Sequence, residues 1–203
     1  AYLLTGDDRY LQAAERGTRY LHLNFRKEDR ESGGVLWYHS LDLASGTPRR
    51  ILSSRFTDDL GAIPLYEQLY AILGPVQTFR ITGDPAIRND ADRTITFMER
   101  RFHDPRHGGF FSHVDPVHFN PRAATLVGNR GRKNWNSIGD HIPAYLINMA
   151  LATGEQRYVD LLAELGRLIV THFPDVSGSP FVCERFMDDW SPDTGWGWQQ
   201  DRA

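Results

Sequence analysis

The sequence predicts an all-α fold, an (α/α) toroid with alternating inner and outer helices in two layers. Three observations point there: a tripeptide recurring at helix–turn–helix positions, an alternation of wholly apolar with one-faced helices, and long polar loops ahead of the wholly apolar ones.

Thr5-Gly6-Asp7, Thr82-Gly83-Asp84 and Thr153-Gly154-Glu155 recur roughly 70 to 80 residues apart, each after an apolar segment and before an amphipathic one. Glycine closes a helix in the left-handed conformation, and the acid that follows caps and charge-complements the next helix. Pro85 suits a first helical position.

Each helix after a mark carries one apolar stripe: Tyr10, Ala14, Gly17, Leu21 and Phe25; then Ile87, Ala91, Ile95, Met98 and Phe102; then Tyr158, Leu161, Leu165, Leu168 and Ile169. These are outer helices with a wet face. The segments before the marks, 62–81 and 142–152, are apolar nearly all round, which predicts inner helices buried on most sides. Ser32-Gly33-Gly34-Val35 and His107-Gly108-Gly109-Phe110 suit tight bends after the outer helices. The polar loops that follow, 41–58 and 114–132, are where function is expected on a helical scaffold.

Composition narrows the function. The 203 residues are two-fifths apolar with a formal charge of −3, which fits a single globular domain over 1–203. The 23 Lys and Arg are spread among 26 Asp and Glu without a long basic run, so no nucleic-acid partner is expected. The single cysteine, Cys183, excludes an internal disulfide and a multi-cysteine zinc site. No apolar run approaches the ~20 residues of a membrane span, and with no signal peptide a cytoplasmic location is the default expectation. His103, His107, His113 and His118 match no zinc spacing, so no metal and no cofactor are expected. Self-association is left open.

Several segments resemble the N-acylglucosamine 2-epimerase and cellobiose 2-epimerase family. They are Gln68-Leu69-Tyr70-Ala71-Ile72-Leu73-Gly74 leading to Phe79-Arg80-Ile81-Thr82-Gly83-Asp84; Asp104-Pro105-Arg106-His107-Gly108-Gly109-Phe110; and Lys133-Asn134-Trp135-Asn136 leading to Ala144-Tyr145. The resemblance implies a ring of six helix pairs about twice as long as this chain, so the sequence is expected to be incomplete as a ring at both ends. It also implies carbohydrate isomerase or epimerase chemistry without a cofactor. Four residues after the asparagine that family carries a histidine, and three further on a glutamate. Here those places hold Asp140 and Pro143, with His141 adjacent.

Such chemistry needs a group that removes a proton beside a carbonyl and returns it, and histidine suits both tasks. Asp140 and His141 are therefore the candidate catalytic residues, with Asp140 alternatively a helix cap. Tyr66, Glu67, Gln68, Lys133, Asn136 and Trp198 are the candidate substrate-binding residues, converging on the ring's axis. Glu67 lies in an apolar helix and requires a compensating cavity or partner. Arg122, Arg130, Arg132 and Lys133 could hold an anion, and Trp190, Trp196 and Trp198 could stack on a sugar. A small-molecule carbohydrate is the expected partner. Two other functions stay open: glycoside hydrolysis by Asp140 with Asp59 or Asp201, and a non-catalytic helical binding module.

Overall fold

The computed structural model describes residues 1–174, 181–197 and 199. Six α-helices follow one another: α1 (Tyr2–Thr5), α2 (Asp8–Phe25), α3 (Leu65–Thr82), α4 (Pro85–Arg101), α5 (Ile142–Thr153) and α6 (Gln156–His172). α3 and α5 lie side by side as the inner helices; α2 and α4 pack on α3, and α6 on α5. This is the expected all-α toroid arrangement.

The recurrent tripeptides act as helix stops. Gly6, Gly83 and Gly154 take φ of 67°, 67° and 69°, a left-handed conformation that costs glycine nothing. Asp7 and Asp84 then cap α2 and α4, accepting from the amides of Arg9 at 3.0 Å and Ala86 at 2.8 Å. Glu155 departs from this pattern. Its carboxylate bonds the guanidinium groups of Arg88 and Arg157 and ties α4 to α6.

The long loops are not wholly irregular. They hold four antiparallel two-stranded pairs: β1 (Arg26–Asp29) with β2 (Gly34–Trp37), β3 (Ser40–Asp42) with β4 (Arg49–Ile51), β5 (Ile63–Pro64) with β6 (His113–Val114), and β7 (Lys133–Asn134) with β8 (Arg185–Phe186). The first glycine pair makes the β1–β2 bend, and a Cβ on Gly34 would stand 2.7 Å from the backbone nitrogen of Phe97, so this hairpin lies directly on α4. The core runs from Val35, Leu36 and Trp37 through Leu69 and Ile72 to Leu146.

The inner helices are buried on fewer sides than their composition predicts. Tyr70 (59% exposed) on α3 and Ile147 (45%) and Leu151 (66%) on α5 are open to solvent.

Candidate functional site

The loops before α3 and α5 meet at the N-terminal ends of these helices and enclose two adjoining cavities. One, of about 280 Å³, is polar and lined by Asp59, His113, Asn134, Asn136, Arg185 and Trp196. The other, of about 530 Å³, is lined chiefly by rings and aliphatic groups, among them Phe25, Tyr38, Phe56 and Tyr70, with Glu67 on its wall. Tyr66 lines both.

Glu67 is held by hydrogen bonds from neighbours in the loop. His39 Nε2 accepts the Arg55 amide at 3.2 Å, so Nδ1 carries the hydrogen and donates to Glu67 at 3.0 Å. The Ser54 hydroxyl donates to the other carboxylate oxygen at 3.0 Å. The compensation is thus a histidine and a serine on a cavity wall rather than an arginine.

Asp59 is the centre of a second network. It accepts from Tyr66 Oη at 2.7 Å and faces His113 Nε2 at 2.6 Å. Burial raises its carboxyl, but the hydrogen bond and charge of His113 outweigh that and hold it below the ordinary carboxylate range. Burial and the bond to Asp59 push the Tyr66 phenol up, so the hydroxyl stays neutral.

Ahead of α5 the chain makes a π turn over Asn136–His141, in which the Ile142 amide reaches back five residues to the Ser137 carbonyl. Three local features favour it. Asn134 Oδ1 takes the Ser137 amide at 2.9 Å; Gly139 leaves room for the Trp135 indole; Pro143 has no N–H to give the Gly139 carbonyl an α-helical bond. One extra residue per turn puts the fifth residue after Asn136 at the angular place of the fourth in an α-helix. That residue is His141, 5% exposed, whose ring lies 4.3 Å from Tyr70 and 5.5 Å from Tyr66 between centroids. Its Nδ1 lies 2.5 Å from the Asn136 carbonyl, which fixes the hydrogen on Nδ1 and leaves Nε2 as the basic nitrogen.

The candidate residues therefore separate. Tyr66, Glu67 and Asn136 line the cavities; His141 lines neither but packs behind them against the rings of Tyr66 and Tyr70. Asp140 does not join them: its side chain is 62% exposed, it lines neither cavity, and no described residue donates a hydrogen bond to it, so it is no cap either. The π turn, absent from a regular helical reading, rotates it outward. Gln68 lies on a cavity wall, but its amide is committed to both backbone groups of Trp37, at 2.7 and 3.3 Å. Lys133, expected to bind substrate, is fully buried instead. Its ammonium bonds Asp104 at 2.9 Å and the carbonyls of Gly108 and Asp188, 4.5 Å above the Trp190 ring. Arg122 and Arg132 pair with Asp188 and Asp193, so no anion site forms around them. Trp196 reaches the polar cavity, Trp190 belongs to the core, and Trp198 lies outside the described residues.

His39 is not singled out by the sequence, and His113 enters there only within a histidine group that matches no zinc spacing. The signal for His113 is a lone imidazole inside the apolar run Phe110-Phe111-Ser112-His113-Val114, where burial demands a partner. Among the described residues no group of three metal-ligating side chains occurs, and no helix is long and apolar enough to cross a membrane.

Known structures share this arrangement. The chain is similar to cellobiose 2-epimerase from Spirochaeta thermophila (22% identity, TM-score 0.65, covering 94% of this chain and 44% of that one). It is also similar to a D-mannose isomerase (23%, 0.70, 97% and 45%) and to cellobiose 2-epimerase from Bacillus thermoamylovorans (16%, 0.69, 95% and 46%). A glycoside hydrolase family 76 mannosidase from Bacteroides thetaiotaomicron is more distant (20%, 0.54, 85% and 41%). At these identities the likeness is one of fold, and the chain spans less than half the length of each of these proteins. No curated protein matches it. The sequence model of N-acylglucosamine 2-epimerase matches residues 1–202, nearly the whole chain. With the ring of inner and outer helices and the loops gathered at one end, that match makes this chain a member of the N-acylglucosamine 2-epimerase family.

Proposed function

We propose that the chain supplies a proton-transfer group and part of the sugar pocket for epimerisation at C2, or aldose–ketose isomerisation, of a carbohydrate. The observation that carries this reading is the π turn, which gives His141 a single fixed tautomer beside Tyr66 and Tyr70. His141 Nε2 takes the proton from the carbon next to the open-chain carbonyl, leaving an enediolate. The imidazolium, its charge eased by the Asn136 carbonyl, returns that proton to the same carbon's other face or to the neighbouring carbon. Tyr66, Asn136 and Trp196 hold the sugar in the polar cavity.

The hydrolase reading needs a carboxyl that carries a proton. Asp59 is held ionised and Asp140 is exposed, so neither fits that part as well as His141 fits proton exchange, and Asp201 lies outside the described residues. Incubation of the protein with a panel of hexoses and disaccharides in D2O, followed by NMR, tests the proposal. Deuterium at C2 is expected for at least one sugar, and a panel without exchange would overturn it.

A further inference from the structure

We infer that His113 is a positioning residue that sets the direction of the hydrogen bond at Tyr66, making the Tyr66 oxygen an acceptor for a substrate hydroxyl. The direction follows from donor accounting along one chain of contacts. Ser112 Oγ gives its only hydrogen to the Arg132 carbonyl at 3.0 Å, so the Nδ1 of His113, 2.8 Å from that oxygen, must donate to it. The Nε2 of His113 faces Asp59 Oδ1 at 2.6 Å. Against a carboxylate it too must donate, so both ring nitrogens carry hydrogens and the ring pairs with Asp59 as a cation. Asp59 then has only lone pairs to offer, and Tyr66 spends its O–H on Oδ2 at 2.7 Å.

What Tyr66 presents to the polar cavity is therefore its oxygen lone pairs. Without the His113 cation, Asp59 is partly buried beside Asp58 and Glu184, with Arg185, already paired to Asp193 at 3.2 Å, as the remaining charge on that cavity wall. A proton on Asp59 would then turn the bond round and make Tyr66 a donor. The anchorage is backbone: β6 carries His113 opposite Pro64, the residue before α3, so the latch closes where Tyr66 begins its helix. The choice of a hydroxyl as the recognised group rests on the proposed sugar substrate; the hydrogen-bond direction does not.

Two measurements test it. With 13C-labelled aspartate, the Asp59 carboxyl, assigned through Asp59→Asn, should titrate below 3.8 in the wild type and rise to that value or above in His113→Gln. An unchanged midpoint overturns the inference. Should His113→Gln fail to fold, 15N spectra of the wild-type imidazole decide: two protonated ring nitrogens at neutral pH are expected, and one bare nitrogen overturns it. Binding of D-glucose, D-mannose and their mono-O-methyl forms is then read from tryptophan fluorescence. Methylation at one position should cost the wild type about tenfold in affinity and His113→Gln about twofold or less; an equal penalty in both overturns the inference. Absence of binding by every sugar would count against the proposed function, and the Asp59 titration would still decide this one.

Discussion

Gly139 lies beneath the indole of Trp135 so closely that a Cβ on it would stand 2.5 Å from ring atom Cδ2. That contact lets Trp135 fold over the π turn and reach Phe173, 5.2 Å away between centroids. Gly139→Ala should cost about 1–3 kcal/mol in urea denaturation and weaken sugar exchange by displacing His141. Gly17 is the contrast. It sits inside α2 with open space around it, so Gly17→Ala should stabilise by about 0.5–1 kcal/mol and leave exchange unchanged.

His141 and Asp140 are neighbours with opposite expectations. His141→Gln should lower the rate of C2 exchange by about 10²–10⁴-fold, with little change in sugar affinity. Asp140→Asn should stay within about twofold of wild type, because an exposed carboxylate in water contributes little. A large loss in Asp140→Asn with full activity in His141→Gln would reverse the assignment.

Lys133 should prove to be a structural residue. Lys133→Met leaves Asp104, fully buried, without its cation and should cost about 3–5 kcal/mol. The double variant Lys133→Met/Asp104→Leu should recover most of that loss. Denaturation of these two variants and of Asp104→Leu alone completes the cycle.

Acid should weaken the fold in two windows. Burial, then the charge of Lys133, lowers the proton affinity of His172, which stacks on Trp190 at 4.3 Å. The unfolded chain binds that proton first, so stability falls as pH drops below about 6.5 towards the lower folded value. His172→Phe keeps the stack and should remove this slope. Asp59, Asp104 and Asp115 are raised by burial but held lower still by His113, by Lys133 and by backbone amides respectively. Their stabilisation is complete above about pH 4 and is lost as pH falls through their folded values. Urea midpoints from pH 3 to 8 would resolve the two steps.

The helical scaffold was legible in the sequence because its rules are local. Gly83 and Asp84 announce a stop and a cap, and the apolar stripe of Ile87, Ala91 and Ile95 announces which face of α4 is buried. The site was legible only in part. Glu67 stands out as a charged group in an apolar helix, with Tyr66 beside it, whereas Asn136 and His141 are pointed to by the resemblance to the epimerase family. A π turn has no periodic signature, so the sequence does not tell which of the consecutive residues Asp140 and His141 turns toward Tyr66 and Tyr70. Lys133 was misread for another reason: its partner Asp104 lies in a different loop, and a motif lysine looks the same in sequence whether it meets a substrate or a buried carboxylate.

The helix-closing glycines Gly6, Gly83 and Gly154 end α1, α3 and α5, and the cavities lie at the opposite, N-terminal ends of α3 and α5. Copying and wear are therefore kept apart. The glycine end repeats a single solution to turning the chain and tolerates little change of backbone. At the loop end the glycine pairs Gly33-Gly34 and Gly108-Gly109 recur, but His39, Asp59 and His113 are held by side-chain contacts that differ from loop to loop. The helix pairs and the cavity walls therefore rest on separate residues, so a change at His39, Asp59 or His113 can reshape the cavities while Gly6, Gly83 and Gly154 keep the helices beneath in register.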